Sequence, residues 1–452
     1  MSGVSKVNVR ELALEVLLKV LEEGEYSSAV ISQVLGVYQY LEKTERAFFT
    51  RLCEGTIERA LELDYILNQF SKVKVKKMKP VIRNILRMGV YQIKYMTQVP
   101  VSAACNEAVK LAQRKGFHNL KGFVNGVLRN VARNVENITY PESQSQPVLY
   151  LSVTYSVPEW IVKMWISQFG FSVTEQMLQA SFSERPLTIR CNEERTDKKS
   201  LRDALEQEGV QVLEGAYVPA ALQISGYNYL SKLTAFQKGW FTVQDESSML
   251  VALAADVQEG NQVMDVCASP GGKSLHAAEL LKGTGMVSSR DLTENKVARI
   301  VENQKRLGLK NIEAKVWDAL QTDEAYLGWA DVVLADLPCS GLGVIGKKND
   351  IKYKASEEGI RDLAGLQREI LKTVVPYLKE GGTLIYSTCT VNQQENEENM
   401  RFAERELGLV LESLNPYIPE SLQGPTTEQG YLQLLPGIHK TDGFFLARFR
   451  KK

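Results

Sequence analysis

The sequence is poor in the residues that build metal sites. It has 452 residues but only three histidines and six cysteines, and no two cysteines form a Cys-x-x-Cys pair. Structural zinc sites are usually built from such pairs together with histidine. Disulfide frameworks belong mainly to short secreted chains. We therefore expect no metal and reduced thiols.

Long apolar runs are also missing. No stretch reaches the roughly 18 apolar residues that a membrane-spanning helix needs. The first residues, MSGVSKVNVRELALEV, lack the continuous apolar segment of a signal peptide. With 44% hydrophobic and 24% charged residues, the composition is that of an ordinary globular protein. These features predict a cytoplasmic protein that does not contact a membrane.

The formal net charge is zero, but the charges are unevenly distributed along the chain. Residues 1–140 hold 21 lysines and arginines against 13 acidic residues, and the remainder holds 33 against 41. A basic first third suits a polyanionic partner, most plausibly nucleic acid. A solvated helical surface would give the same count, so charge alone leaves both interpretations open.

The chain is longer than the roughly 250–300 residues at which single cores stop growing, so we expect several domains. Apolar residues recur with helical spacing through 1–140, where Ser102 is the expected cap of one helix. The polar segment 141–150 is typical of a linker. Residues 151–235 mix helical and strand patterns and predict a small α+β module. Residues 236–452 alternate short apolar runs with helical segments, which indicates a mostly parallel sheet.

Five short apolar runs in the last region predict the strands of this sheet. They are Gln262–Cys267, Gly285–Ser289, Ile312–Val316, Asp331–Ala335 and Gly382–Ser387. Ligands of such sheets bind beyond the carboxyl ends of the strands. Residues just after these runs are therefore the first candidates for a functional site.

The first of these strands ends in a glycine-rich turn, DVCASPGGKS. A phosphate-binding P-loop requires a glycine where this chain has Cys267, which argues against that site. A dinucleotide fingerprint matches by letters at 341–346, but no apolar helix follows it. We interpret that second segment as a mobile loop.

A third interpretation of the glycine turn is a site for S-adenosylmethionine. Asp291 follows the second strand, where a carboxylate can bind ribose hydroxyls. Asp318 follows the third strand and could reach the adenine amino group. Each acid alone is more often a solvated loop residue. The glycine turn, Asp291 and Asp318 lie at three successive strand ends, and together they predict this cofactor.

Two cysteines follow the fourth and fifth strands. Cys339 stands in ADLPCSG and Cys389 in YSTCT, so neighbouring strands would bring both thiols to one cleft. Free cysteines are otherwise usually small buried hydrophobic residues. A thiolate that adds to C6 of cytosine makes C5 nucleophilic, and a second thiol can assist proton removal or release. We expect lowered thiol pKa values near Lys273, and a role for Asp336 in binding either the base or the cofactor.

Three motifs carry a resemblance to a known family: VMDVCASPGGK, ADLPCSGLG and LIYSTCTVNQQENE. In combination they resemble the RNA 5-methylcytosine methyltransferases of the bacterial RsmB/Sun (Sun/NOL-type) family. The segment VSAACNEAVKLAQRKGFHNLKGFVNGVLRNVAR resembles the RNA-binding helical domain of NusB. The resemblance implies an all-α NusB-like domain over 1–140, the α+β module over 151–235, and a Rossmann-like class I methyltransferase domain over 236–452.

The resemblance also implies roles for individual residues. Cys389 is then the nucleophile, and Cys339 assists release. The implied cofactor site comprises Cys267, Ala268, Ser269, Pro270, Gly271, Gly272, Lys273, Asp291, Asp318 and Asp336. Ser269 and Leu337 depart from the commoner family residues, as does the loop after Gly343, so the resemblance implies no particular substrate contacts for these positions.

The implied substrate is a cytosine of small-subunit (16S) ribosomal RNA, methylated by a monomer before the ribosome is fully assembled. Three alternatives stay open. The chain could methylate another RNA such as tRNA, it could be an amino-directed methyltransferase that needs no cysteine, or it could be a non-catalytic RNA-binding assembly factor.

Overall fold

The computed structural model describes residues 7–183 and 186–452, which form two compact units. The first unit combines Met1–Phe182 with Ile345–Ala355, and the second combines Ser183–Val344 with Ser356–Lys452. The chain therefore leaves the second unit after Val344 and returns to it at Ser356. The three domain bounds predicted from the sequence stay a prediction.

The first unit is helical, and its described residues contain no strand. Its helices are α1 Val9–Leu21, α2 Ser27–Val37, α3 Lys43–Glu58, α4 Ala60–Phe70, α5 Pro80–Tyr95, α6 Val101–Arg114, α7 Lys121–Arg133, α8 Pro147–Thr154, α9 Glu159–Phe169, α10 Phe171–Ser181 and, from the returning segment, α16 Ile351–Lys354. Apolar faces of α1 to α7 enclose one core that includes Leu17, Phe49 and Leu86. The helical character expected for residues 1–140 is thus confirmed over the residues that the structure describes there.

Two local predictions in this unit are wrong. Helix α6 begins at Val101 after Pro100, so Ser102 lies inside the first turn and makes no cap hydrogen bond. Residues 141–150 are not all linker, because α8 already begins at Pro147. Proline is favoured at the first position of a helix, where its missing N–H costs nothing.

The second unit begins with a small antiparallel sheet in the order β2-β3-β1-β4. Its strands are β1 Leu187–Cys191, β2 Gln211–Glu214, β3 Ala221–Ser225 and β4 Phe241–Val243, accompanied by helices α11 Lys198–Gln207 and α12 Thr234–Gln237. A separate apolar cluster that includes Ile189, Leu201 and Phe241 forms its core. This is the α+β module that the sequence pattern predicts.

A larger sheet of eight strands follows. Its strands are β5 Gln262–Asp265, β6 Met286–Asp291, β7 Ile312–Val316, β8 Ala330–Asp336, β9 Leu378–Thr388, β10 Leu409–Leu411, β11 Tyr431–Leu434 and β12 Phe444–Lys451. The flanking helices are α13 Glu246–Ala254, α14 Gly272–Leu280, α15 Glu294–Leu307, α17 Glu357–Val374, α18 Glu397–Leu407 and α19 Pro425–Glu428. Apolar clusters that include Val263 on one face and Met264 on the other fill the space between sheet and helices.

The strand order places the functional edge of this sheet. The order is β10-β12-β9-β8-β5-β6-β7, with β11 paired to β12. Strands β5 to β9 pair in parallel, whereas β10, β11 and β12 pair antiparallel. The chain runs outward from β5 to β7, then crosses back to β8 on the other side of β5. This reversal is where ligands of open α/β sheets bind.

Two kinds of feature are absent from the described residues. No helix there has the length and apolarity to cross a membrane. No group of three or more histidine, cysteine, aspartate or glutamate side chains in the same residues could hold a metal ion.

Candidate active site

The turn between β5 and α14 forms an open backbone cradle. Gly271 has a φ of +104°, a left-handed conformation that glycine adopts without steric cost. A β-carbon at this position would lie 3.3 Å from the Leu275 side chain and 3.4 Å from that of Ile300. The turn is held by the Gly271 N–H, which donates to the Ala268 carbonyl at 2.7 Å. The chain therefore needs glycine where a ligand would approach the backbone.

A buried carboxylate at the end of β5 is hydrogen-bonded to the helix that follows the turn. Asp265 is fully buried, and its Oδ2 accepts a hydrogen bond from Ser274 Oγ at 2.6 Å. Its second oxygen is among the buried polar atoms that find no hydrogen-bond partner. Burial raises the pKa of Asp265 to about 7, although the Ser274 hydrogen bond opposes this shift. The sequence pointed to the residues after Asp265 but missed this carboxylate.

Lys273 joins the cofactor turn to the end of β8. Its ammonium lies 2.6 Å from Asp336 Oδ2, and the other oxygen of Asp336 accepts from Ser387 Oγ at 2.8 Å. Burial alone would lower the pKa of Lys273, but the charge of Asp336 and its hydrogen bond outweigh burial and raise it. Lys273 is therefore a fixed cation at the sheet edge, and Asp336 is held by two partners.

The two other predicted acids follow the next strands. Asp291 ends β6, and its Oδ2 accepts from the Ser269 N–H of the glycine turn at 2.9 Å. Asp318 lies two residues beyond β7, where its Oδ1 accepts from the Leu320 N–H at 3.0 Å. A glycine cradle with carboxylates at neighbouring strand ends fits a ligand that carries an amino-acid end, a ribose and a base.

The two predicted cysteines meet beside this cradle. Strands β8 and β9 are parallel neighbours, and Cys339 Sγ lies 3.4 Å from Cys389 Sγ. Both side chains are half-buried, and neither is in a disulfide. The sequence interpretation requires the two strands to be neighbours, and their pairing is confirmed.

The expected lowering of the thiol pKa values is wrong for Cys339. The hydrogen bond with Cys389 and then burial raise the pKa of Cys339 well above that of a free thiol. Burial likewise raises the pKa of Cys267 in the glycine turn, where nearby carboxylates add to the effect. Lys273 does not reverse this because its ammonium is paired with Asp336. Cys339 consequently keeps its proton at neutral pH.

The segment after Cys339 is ordered rather than the mobile loop that the sequence suggested. Leu342–Val344 form a short 3-10 helix, and Gly343 is buried. The Gly343 N–H donates to the Cys389 carbonyl at 3.1 Å, and its carbonyl accepts from the Gly443 N–H at 2.9 Å. These backbone hydrogen bonds fasten the segment that carries Cys339 to the segment that carries Cys389.

Four side chains around the thiols were not identified from the sequence: Ser340, Gln367, Thr390 and Glu395. They form a hydrogen-bonded network next to both cysteine segments. The only signal for Glu395 was its place in the motif NQQENE. Gln367 lies on α17 without any local signature, so no sequence pattern could have joined it to the site.

A mostly parallel sheet with a glycine cradle at its reversal point defines a class I methyltransferase. A profile of the 16S rRNA methyltransferase RsmB/F family matches residues 252–450, and profiles of the NusB family and of the RsmF/B ferredoxin-like domain match 7–133 and 157–228. The chain belongs to the RsmB/F family of methyltransferases. S-adenosylmethionine is accordingly its cofactor.

Full-length relatives support this assignment. The chain is 38% identical to "Probable ribosomal RNA small subunit methyltransferase B" of Bacillus subtilis, over 99% of this chain and 100% of the relative. It is 30% identical to "Ribosomal RNA small subunit methyltransferase B" of Escherichia coli, over 98% and 99% of the two chains.

Solved structures share the fold. One titled "Crystal Structure of PH0851" superimposes with a TM-score of 0.81 at 24% identity and covers 99% of each chain. NSun6 from Pyrococcus horikoshii, solved with SFG, gives a TM-score of 0.58 at 24% identity, over 64% of this chain and 97% of its own.

Proposed function

We propose that this protein methylates C5 of a specific cytosine in small-subunit (16S) ribosomal RNA. In this proposal Cys389 is the nucleophile and Cys339 assists its release. The observation that carries the proposal is the 3.4 Å contact of two thiols at adjacent strand ends beside the cofactor cradle. An amino-directed methyltransferase would have no use for this pair.

The chemistry gives each thiol a separate task. C5 of cytosine is a weak nucleophile, so the Cys389 thiolate first adds to C6, and the electron pair of the C5–C6 double bond moves to C5. S-adenosylmethionine, when bound, supplies the methyl group that C5 takes up. The C5 proton then passes to a base, the C6–S bond breaks and the double bond returns. Each turnover thus regenerates the Cys389 thiolate.

The protonated state of Cys339 suits it to assist this release. Its raised pKa keeps the S–H bond intact at neutral pH, so this S–H can donate a hydrogen bond to the sulfur of Cys389 across the 3.4 Å contact. Donation stabilises the Cys389 thiolate both before it adds and when it departs. Lys273 and Asp336 form a fixed ion pair at the cleft, and we assign Asp336 to binding either the cytosine amino group or the cofactor.

The names of the relatives and the basic helical unit support RNA as the substrate. Lys72, Lys74, Lys76, Lys77 and Lys79 are all exposed between α4 and α5. No acidic side chain among the described residues forms an ion pair with them. Exposed, unpaired lysines are the groups that neutralise phosphates and release counterions. We further propose that the protein acts as a cytoplasmic monomer before the ribosome is fully assembled.

Methyl transfer to defined RNA tests this function. Purified protein and S-adenosylmethionine are incubated with protein-free 16S ribosomal RNA, assembled small subunits or tRNA, all from cells that lack this protein. Bisulfite sequencing then locates 5-methylcytosine. We expect one new site in the free 16S RNA. A methylated site found only in tRNA would show that tRNA, and not 16S RNA, is the substrate. Methylation of an amino group would exclude the C5 reaction.

A non-catalytic assembly factor is tested separately. Calorimetry with S-adenosylmethionine should show binding in the absence of RNA. Complete absence of binding would favour the assembly factor over the enzyme.

A further inference from the structure

A buried carboxylate lies next to the segment that carries Cys339. Glu395 is fully buried, yet none of the described lysines and arginines forms an ion pair with it. Its oxygens accept instead from neutral donors of Ser340, the backbone N–H at 2.8 Å and the hydroxyl at 2.5 Å. A buried charge satisfied only by neutral groups is costly, and such groups tend to occur at functional sites.

Gln367 connects Glu395 to the residue that precedes Cys339. Its Nε2 donates to the Pro338 carbonyl at 2.8 Å and to Glu395 Oε1 at 3.2 Å. Its Oε1 accepts from Tyr386 at 3.0 Å and from Asn399 at 2.7 Å, which fixes the orientation of the amide. The residues before and after Cys339 are therefore held by one connected network.

The same network reaches the second cysteine. The hydroxyl of Ser340, which binds Glu395, also lies 2.7 Å from the hydroxyl of Thr390. Thr390 directly follows Cys389 along the chain. Ser340 and Thr390 thus tie the two cysteine segments together at a point one residue beyond each thiol.

We propose that Glu395 is a positioning residue that holds the Cys339 thiol against Cys389, through Ser340 and Gln367, so that release of the methylated base is fast. This inference rests on the proposed function, because it assigns Glu395 to the release step of that reaction. A carboxylate suits the position, since three donors converge on it and it accepts without donating. Release is the step affected because Glu395 and Gln367 bind the residues on either side of Cys339, the thiol that the proposed function assigns to release.

Replacement of Glu395 should slow release more than addition. In Glu395→Ala the Cys339 segment loses its anchor, and displacement of a catalytic group by about 1 Å can cost on the order of 100-fold in rate. Cys389 still adds to the base, so a covalent protein–RNA adduct should accumulate on denaturing gels, while the affinity for S-adenosylmethionine stays as in the wild type. Glu395→Gln keeps one acceptor oxygen and should rescue most of the turnover.

The matched control is Glu398→Gln, which removes the same charge from an exposed residue three positions along the chain. It should leave the adduct level and the turnover unchanged. Thermal unfolding of every variant separates a loss of fold from a loss of positioning. If Glu395→Ala is unfolded, Ser340→Ala provides the same readout with a smaller change, because it removes the hydroxyl that joins Glu395 to Thr390.

A double-mutant cycle tests whether Glu395 acts through Cys339. If it does, Cys339→Ala with Glu395→Ala should turn over no more slowly than Cys339→Ala alone. Independent, multiplying losses would overturn the inference, as would a folded Glu395→Ala variant that forms no adduct while Cys339→Ala does. If Cys339→Ala itself forms no adduct, the proposed release mechanism fails and this inference fails with it.

Discussion

At the scale of single residues, the two thiols of the cleft are made unequal by their surroundings. Cys339 is held from both sides by Gln367 and Glu395, and its pKa is raised. Cys389 follows directly on strand β9 and faces it at 3.4 Å. We therefore propose that Cys339 keeps its proton and that Cys389 attacks the base.

Cys389→Ser should abolish methylation, by at least about 10³-fold, because a serine hydroxyl is a far weaker nucleophile than a thiolate at neutral pH. Incorporation of labelled methyl groups into RNA measures the effect. Cys105→Ala, which removes a buried thiol of the helical unit, is the control and should stay active. Retention of activity by Cys389→Ser would mean that the base is not attacked by this residue.

Asp265 should make stability depend on pH. Its pKa is about 7 in the folded chain and roughly 3.9 in an unfolded one, so the carboxyl group binds its proton more tightly in the folded chain. Its contribution to stability is therefore complete below about pH 4 and is lost as the pH rises towards and through 7. The side chain of Asp265→Asn stays neutral at every pH. The free energy of unfolding of this variant, relative to that of the wild type, should therefore increase from pH 5.5 to pH 8. Denaturant titrations at both pH values measure this difference, and a difference independent of pH would refute the assignment.

At the scale of elements, the 3-10 turn of residues 342–344 fixes the two cysteine segments by backbone contact. A β-carbon on Gly343 would fall 2.1 Å from the Gly443 carbonyl oxygen and 2.8 Å from that of Cys389. Backbone atoms cannot move aside cheaply, so any larger residue must displace the segments. The close approach explains why a glycine stands here, although the sequence alone suggested a flexible loop.

Gly343→Ala should therefore lower both the melting temperature and the methylation rate. Gly365→Ala is the matched control, because Gly365 lies in α17 with nothing within 4 Å of an added β-carbon. That control should gain about 0.5–1 kcal/mol from the better helix propensity of alanine. Calorimetric melting curves and methyl transfer give both readouts. If Gly343→Ala behaves like the control, the turn does not hold the cysteine segments.

The lysine-rich connection between α4 and α5 is the second element with a specific expectation. Replacement of Lys72, Lys74, Lys76 and Lys77 by glutamine should weaken RNA binding and make the salt dependence shallower. Each lost phosphate contact removes about 0.7–0.9 from the slope of log K against log salt, so four contacts remove about 3. Filter binding over a range of salt concentrations measures the slope.

A charge-matched variant serves as its control. Replacement of the exposed Lys163, Lys199, Lys282 and Lys372 by glutamine changes the net charge equally. Its slope should stay close to that of the wild type. Equal losses in both variants would show that net charge, and not this connection, attracts the RNA.

At the scale of the whole molecule, the chain does not divide cleanly by sequence position. Ile345–Ala355 belongs to the helical unit, where Asp350 binds Ser27 and Lys352 donates to the Glu58 carbonyl at 2.8 Å. Deletion of the first 140 residues would therefore uncover groups of this segment that are now buried. Point variants on the surface are the cleaner way to test the helical unit.

Much of the fold and part of the site could be predicted from the sequence. The strand Ile312–Val316 was predicted with the bounds that the structure has, because short apolar runs between helices are a local signal. Both cysteines and the glycine turn were located because each follows such a strand directly. The paired positions of Gln367 and Glu395 could not be predicted, since their contacts join segments 28 residues apart and leave no local pattern.

Mapping the covalent bond between protein and RNA tests directly whether Cys389 is the nucleophile. The wild-type protein is incubated with S-adenosylmethionine and 16S RNA that contains 5-fluorocytidine, whose fluorine cannot leave as the C5 proton does. The stalled adduct is then digested and sequenced by mass spectrometry. We predict a methylated fluorocytidine attached to the peptide that contains Cys389. Attachment to Cys339, or methylation with no adduct at all, would contradict it.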